Sequence, residues 1–171
     1  GGVNKGNVSG IATVNIVTEE AVRMASLSNA NAEIPVLGAK ITGNVYGGGN
    51  LADVKGNTYV NICVKDDQAL SDGNEHVTIG GNIYGGGKGD DDTFTCEKGM
   101  VGVAGENEGN HANDDLGTHV RIGNVTIGNG STGGNVYGGG EVGRVEFHSV
   151  VTIGLMPKAG VTSTPEIKGN V

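Results

Sequence analysis

The composition of this chain lacks several features of a conventional globular protein. Its 171 residues include no tryptophan, three prolines and two cysteines, and aromatic residues make up 4%. A compact core normally depends on large side chains, so this composition argues against one. Prolines without a Gly-X-Y period exclude collagen. A hydrophobic content of 36%, much of it patterned Val and Ile, argues against a disordered chain.

Positive charge is also scarce. Eleven Lys and Arg against 19 Asp and Glu leave a net charge of −8, and no basic cluster occurs. We therefore expect no nucleic-acid partner. The acidic balance and the lack of a run of about 18 apolar residues also argue against membrane binding or insertion. The chain begins and ends inside repeated words, which indicates an excerpt of a longer repeat array.

Glycine and a repeated seven-residue word are abundant instead. The chain has 34 glycines, and Gly-Asn-Val/Ile-Tyr-Gly-Gly-Gly occurs at residues 43–49, 81–87 and 134–140. A flexible linker would not keep an aromatic residue at one fixed place. If the copies stack, equivalent side chains form ladders of amides and of rings. The predicted ladders consist of Asn44, Asn82 and Asn135, and of Tyr46, Tyr84 and Tyr137.

Two further strand-like segments flank each word. Short apolar segments precede it at 39–41, 77–79, 125–127 and 165–167, and longer ones follow it at 58–64, 118–122 and 145–153, with 12–17 as an earlier follower. Three short strands per turn, each paired in parallel with its counterpart in the next turn, are typical of a parallel β-helix. The sequence thus predicts an all-β fold of about three to four turns, with residues 1–171 forming a single segment.

The uneven spacing of the words predicts loops. Tyr46 and Tyr84 are 38 residues apart, whereas Tyr84 and Tyr137 are 53 apart. Because stacking fixes the strands, the excess must leave the stack, and we assign a loop insertion to residues 88–116. A second excursion at 18–36 is interpreted as a short helix or a surface loop.

Strand alternation predicts which side chains of the follower segments face inward. It places Val60, Ile62 and Val64 inside and Cys63 outside, within reach of Cys96 in the insertion. A Cys63–Cys96 disulfide is therefore predicted, with two separate thiols as the alternative.

Two outward side chains of the next follower segment are candidate functional groups. His119 and Arg121 lie beside the insertion and are candidates for partner contact.

Residues 86–94 resemble the nonapeptide of calcium-binding RTX β-rolls. That resemblance implies Asp91 as a ligand with Asp90 and Asp92 as neighbours, whereas a solvated acidic loop is the alternative. Calcium is the one cofactor the sequence suggests. No zinc, phosphate-loop or serine-nucleophile motif occurs.

The word and its follower, Gly-Asn-Val-Tyr-Gly-Gly-Gly and Val-x-Gly-Asn-Thr-x-Val-x-Ile, resemble the glycine-rich repeats of large secreted β-solenoid surface proteins and adhesins of Gram-negative anaerobes. The likeness is best over residues 41–62. It implies an extracellular or cell-surface location and a non-enzymatic, structural or adhesive role. A host or cell-surface glycan or protein is the expected partner.

Two further hypotheses stay open. Open turn edges would allow head-to-tail stacking of chains. The alternative function is a β-helix carbohydrate-active enzyme, either a polysaccharide lyase or a glycoside hydrolase, because such folds host these enzymes.

Overall fold

The fold is all-β over the part of the chain that the computed structural model describes. Those residues are 7–18, 39–65, 68–69, 77–90, 98–102, 116–131, 133–154 and 165–171, and no helix occurs among them. The excursion predicted at 18–36 lies almost entirely outside them. The strands are β1 (Ala12–Ile16), β2 (Ala39–Ile41), β3 (Val45–Tyr46), β4 (Thr58–Ile62), β5 (Val64–Lys65), β6 (Gln68–Ala69), β7 (Val77–Ile79), β8 (Ile83–Tyr84), β9 (Gly117–Ile122), β10 (Thr126–Ile127), β11 (Val136–Tyr137), β12 (His148–Ile153) and β13 (Glu166–Ile167).

Three parallel sheets organise these strands. Their orders are β1-β4-β9-β12, β2-β7-β10-β13 and β3-β8-β11. One sheet contains the strands that follow the repeated word, the second those that precede it and the third those inside it. Neighbouring strands in each sheet come from successive copies of the word. Only β5 and β6 pair antiparallel among the described strands. The prediction of an all-β chain with parallel strands is thereby confirmed.

Apolar side chains occupy the same register position in successive strands. Val60 of β4 lies opposite Val14 and Val120, and Ile62 lies opposite Ile16 and Ile122. Val60, Ile62, Val120 and Ile122 are fully buried. Each such side chain contributes about 1.5–3 kcal/mol through burial, so the narrow core depends on columns of Val and Ile rather than on aromatic residues.

A fourth line of contact consists of single residues. Val54 forms parallel bridges to Val8 and to Val101, and Val101 bridges in turn to Val145. Val54 and Val101 are fully buried. Residues 98–102 therefore belong to the stacked body, as do residues 88–90, where the amides of Lys88 and Gly89 donate to carbonyls at 49 and 50. The single insertion predicted at 88–116 needs this correction: one buried valine in its middle pairs with both adjacent turns.

The predicted outward position of Cys63 is wrong. Its side chain is 0% exposed and belongs to the core cluster. β4 ends at Ile62, and Cys63 takes a left-handed backbone conformation with φ 52°, so strand alternation no longer applies. Val17, the equivalent residue after β1, has φ 47° and is also buried. Cys96 lies outside the described residues, and the disulfide stays a prediction.

Candidate functional site

The tyrosines of the repeated word form one continuous ring stack. The rings of Tyr46 and Tyr84 have centroids 5.0 Å apart at 5°, and those of Tyr84 and Tyr137 are 5.0 Å apart at 16°. Register brings them together, because β3, β8 and β11 pair Tyr46 with Tyr84 and Tyr84 with Tyr137. The stack is a lateral support for the turns and leaves Tyr137, 40% exposed, at its end.

The asparagines form a second ladder beside the rings. Asn44 Oδ1 accepts from the amide of Asn82 at 2.8 Å, and Asn82 Oδ1 accepts from the amide and the Nδ2 of Asn135 at 3.0 and 3.1 Å. Asn135 Oδ1 repeats this with the amide and Nδ2 of Asn170. The ladder thus extends one turn beyond the three predicted members and satisfies backbone donors as well as side chains.

Glycine is required in the word because the turns approach closely. Gly47 and Gly85 do not adopt the left-handed conformation. A Cβ at Gly47 would instead lie closer than 3.0 Å to the carbonyl oxygen of Gly85, and one at Gly85 would meet that of Gly138 in the same way. Of the two reasons for glycine, freedom of φ and close approach, close approach applies here.

A buried polar column was missed by sequence analysis. Thr58 and Thr118 are fully buried, and their hydroxyls donate to the carbonyls of Gly85 and Gly138 at 2.6 and 2.5 Å. These bonds join the follower strand of one turn to the word of the next. Alternation alone would place both threonines inward, but only the structure shows which acceptors allow their burial.

Glu141 joins the ring stack from two turns away. Tyr46 donates its hydroxyl proton to the Glu141 carboxylate and accepts a hydrogen bond from Asn44 Nδ2 at 2.9 Å. Burial, together with the hydrogen bond and negative charge of Glu141, raises the pKa of Tyr46 to about 12. Burial also raises the pKa of Tyr84 above its ordinary value. Both phenols therefore keep their protons at neutral pH, which is unsuited to a catalytic base.

The predicted contact residues lie in an aromatic and cationic cluster on the outer face of β4 and β9. His119 stacks on Tyr59 with centroids 4.8 Å apart and an interplanar angle of 12°, and the Arg121 guanidinium lies 5.8 Å from the centre of the Tyr59 ring. His119 is only 6% exposed, so it offers little surface to a partner. Arg121 is half-buried and is the more accessible of the two.

Only one member of the predicted calcium site is described. Asp90 forms an ion pair with Lys98 at 2.6 Å, and Asp91 and Asp92 lie outside the described residues. Among the residues described, no group of three or more His, Cys, Asp and Glu side chains is placed to hold a metal ion. Calcium binding stays a prediction.

Comparison with protein-family models, with curated proteins and with solved structures gave no match. Within the described ranges, no helix has the length and apolar character needed to cross a membrane.

Proposed function

We propose that this chain is a segment of a secreted or cell-surface β-solenoid, a parallel β-helix with a structural or adhesive role and no enzymatic activity. The supporting observation is the in-register repetition of every inward column. Three sheets and one line of bridges each add one member per copy of the word. Such a body is quasi-one-dimensional, because the described strands of each turn pair with those of the adjacent turns and length grows by adding turns.

The chemistry of the stacked turns favours a structural role. An active site needs one turn that differs from the rest, whereas a stalk needs many similar ones. Here the Asn ladder, the Tyr stack and the Val and Ile columns all use equivalent positions. The proposed extracellular location rests on the likeness of residues 41–62 to adhesin repeats.

Electron microscopy of the longer protein that carries this segment tests the proposal. We expect an unbranched rod, whose fibre diffraction has an axial spacing of about 4.8 Å, the distance between paired strands. A compact particle without that spacing would contradict the proposal. Head-to-tail association of this chain belongs to the same proposal and is measured by light scattering against concentration. A monomer at every concentration would remove that part alone.

A carbohydrate-active enzyme is the second candidate, favoured by the cluster of Tyr59, His119 and Arg121. β-Elimination of an acidic polysaccharide needs a general base or acid and a cation that neutralises the carboxylate of the sugar. In this cluster the His119 imidazole and the Arg121 guanidinium are the groups of those two types. The test is turnover of polyuronates by the purified chain and by His119→Gln. Turnover that is lost in this variant, with folding retained, would replace the structural proposal. The expected result is no turnover by either protein.

A further inference from the structure

A groove of about 600 Å³ lies on the outer face of the sheet β2-β7-β10-β13. One wall is an outward column in which Lys40, Thr78 and Thr126 are successive register partners, and Glu166 continues this column in the next turn. These side chains belong to four different turns. The groove therefore runs along the stacking direction, across the strands.

The groove exists because the adjoining column lacks side chains in its middle. Gly80, Gly128 and Lys168 each donate their amide to the turn before, at 2.7, 2.6 and 3.0 Å, so they occupy equivalent positions above Thr42. The two glycines form a floor between Thr42 at one end and Lys168 at the other. Gly128 has φ +98°, a conformation that disfavours any other residue, so the backbone itself keeps the floor open.

Positive charge lies at both ends of this groove in a protein of net charge −8. Lys40 and Lys168 line it and are separated by three strand spacings, roughly 14 Å along the stack. Between them the lining includes three polar side chains, those of Thr78, Thr126 and Asn129, beside the glycine floor. The groove therefore fits an elongated ligand that carries anionic groups some distance apart and hydroxyl groups between them.

We infer that this groove binds an acidic oligosaccharide. Lys40 and Lys168 bind its carboxylate or sulfate groups, and Thr78 and Thr126 hydrogen-bond its hydroxyls. This inference deepens the adhesive part of the proposed function and rests on it.

An acidic peptide fits the groove less well than a glycan does. Extended peptides bind to sheets by adding a strand at an edge. The groove instead crosses the face of the sheet, and its central strands β7 and β10 are paired on both sides. Their backbone groups are therefore not available to a peptide.

Glu166, which continues the Lys40 column beside the groove, provides a test of opposite sign. The carboxylate of Glu166 lies 3.5 Å from the Thr126 hydroxyl, in the same column as Lys40. It repels an anionic ligand, so Glu166→Gln should strengthen binding while Lys40→Gln and Lys168→Gln weaken it. A purely structural role of these exposed side chains would not reverse sign in this way.

The experiment is isothermal titration of the 171-residue chain with tetragalacturonate, a heparin tetrasaccharide, neutral maltotetraose and tetraglutamate. We expect one or both acidic saccharides to bind, maltotetraose not to bind, and affinity to fall with added salt. The first two probes distinguish carboxylate from sulfate recognition. Each lysine substitution should weaken binding about three- to fivefold, the size expected for an exposed ion pair.

Two variants with the same net charge distinguish binding in the groove from attraction of the ligand by the charge of the whole protein. Thr78→Glu places a carboxylate in the groove and should abolish binding. Thr13→Glu makes the same substitution at an exposed outward position of β1, on another sheet, and should leave binding unchanged. Equal loss in both variants, no binding of either acidic saccharide, or equally tight binding of tetraglutamate would overturn the inference. Circular dichroism of each variant shows whether the fold is retained, so a failure here is distinguishable from failure of the proposed solenoid.

Discussion

Alanine at the middle glycine of the repeated word tests whether the turns stack as closely as the structure shows. Gly86 and Gly139 occupy the same position in two copies of Gly-Gly-Gly, and neither has a left-handed φ. A Cβ at Gly86 would lie 2.8 Å from the nitrogen and 2.9 Å from the Cα of Gly140 in the next turn. A Cβ at Gly139 has nothing within 4 Å.

The size of the effect follows from these distances. Ordinary contact begins at 3.4 Å, so Gly86→Ala must move the adjoining turns apart by about 0.5 Å. The amides of Gly85 and Gly86 donate to carbonyls of that turn at 2.9 and 3.0 Å, and both bonds would lengthen to the limit of a hydrogen bond. Overpacking and two weakened buried bonds together cost about 2–4 kcal/mol. Gly139→Ala should instead stabilise by about 0.4–1 kcal/mol, because alanine restricts the unfolded chain.

Urea unfolding followed by circular dichroism measures both free energies of unfolding. The expected result is a lower urea midpoint for Gly86→Ala and an equal or higher urea midpoint for Gly139→Ala. The slope of the free energy of unfolding against urea concentration should be the same in both variants. Gly48→Ala, whose Cβ would meet Gly87 in the same way, should repeat the loss seen at Gly86. If Gly86→Ala and Gly139→Ala have the same stability within about 0.5 kcal/mol, the turns do not approach each other as described.

Four further predictions concern the ladders and the thiols. Asn82→Leu should lower the free energy of unfolding by about 1–3 kcal/mol, because it removes the acceptor of two hydrogen bonds from the next turn, and an unchanged urea midpoint would contradict this. Stability should fall as the pH rises from about 10 towards 12, because Tyr46 loses its proton in the unfolded chain first. Glu141→Gln should lower the pKa of Tyr46, because it removes the carboxylate that accepts the phenol proton and repels the tyrosinate. The pKa is measured from tyrosinate absorbance against pH, with Tyr46→Phe identifying the contribution of this ring. An unchanged titration would show that the Glu141 carboxylate does not raise the pKa of Tyr46. Thiol titration of unreduced, denatured protein should detect close to none if Cys63 and Cys96 are joined, and two thiols per chain would end that prediction.

The strand positions were predictable because the repeat carries them directly. An aromatic at a fixed place in the word aligns Tyr46 with Tyr84, and β-branched residues at alternate positions mark Val60 and Ile62 as core. The orientation of Cys63 was not predictable, because alternation assumes that the strand continues. A left-handed residue after the strand reverses the direction of its side chain, and neither Cys63 nor Val17 is a residue type that signals this conformation.

The line of single valines illustrates a second limit. Val8, Val54 and Val145 each precede by four residues an equivalent position in β1, β4 or β12, so their spacing carried a signal. A single bridging residue has no alternating neighbours, however, so strand alternation does not identify it. Val101 lacks even the spacing, because residues 103–115 separate it from β9. The groove was also beyond sequence analysis, since it requires two glycines of different turns to lie side by side.

The contrast between inner and outer columns indicates where recognition belongs on such a body. The inner column of Ile16, Ile62, Ile122 and Ile153 keeps one residue type through four turns, because every turn has the same space to fill. The inner column two residues earlier consists of Val14, Val60, Val120 and Val151, whereas the outward column between these two varies in residue type and consists of Asn15, Asn61, Arg121 and Thr152. Outward side chains do not have to fill the core, so their residue types are able to differ without loss of the fold. A ligand that spans several turns can therefore be recognised by a pattern of such side chains. The groove between Lys40 and Lys168 has this form, and it places binding on the regular face of the stack as well as on its loops.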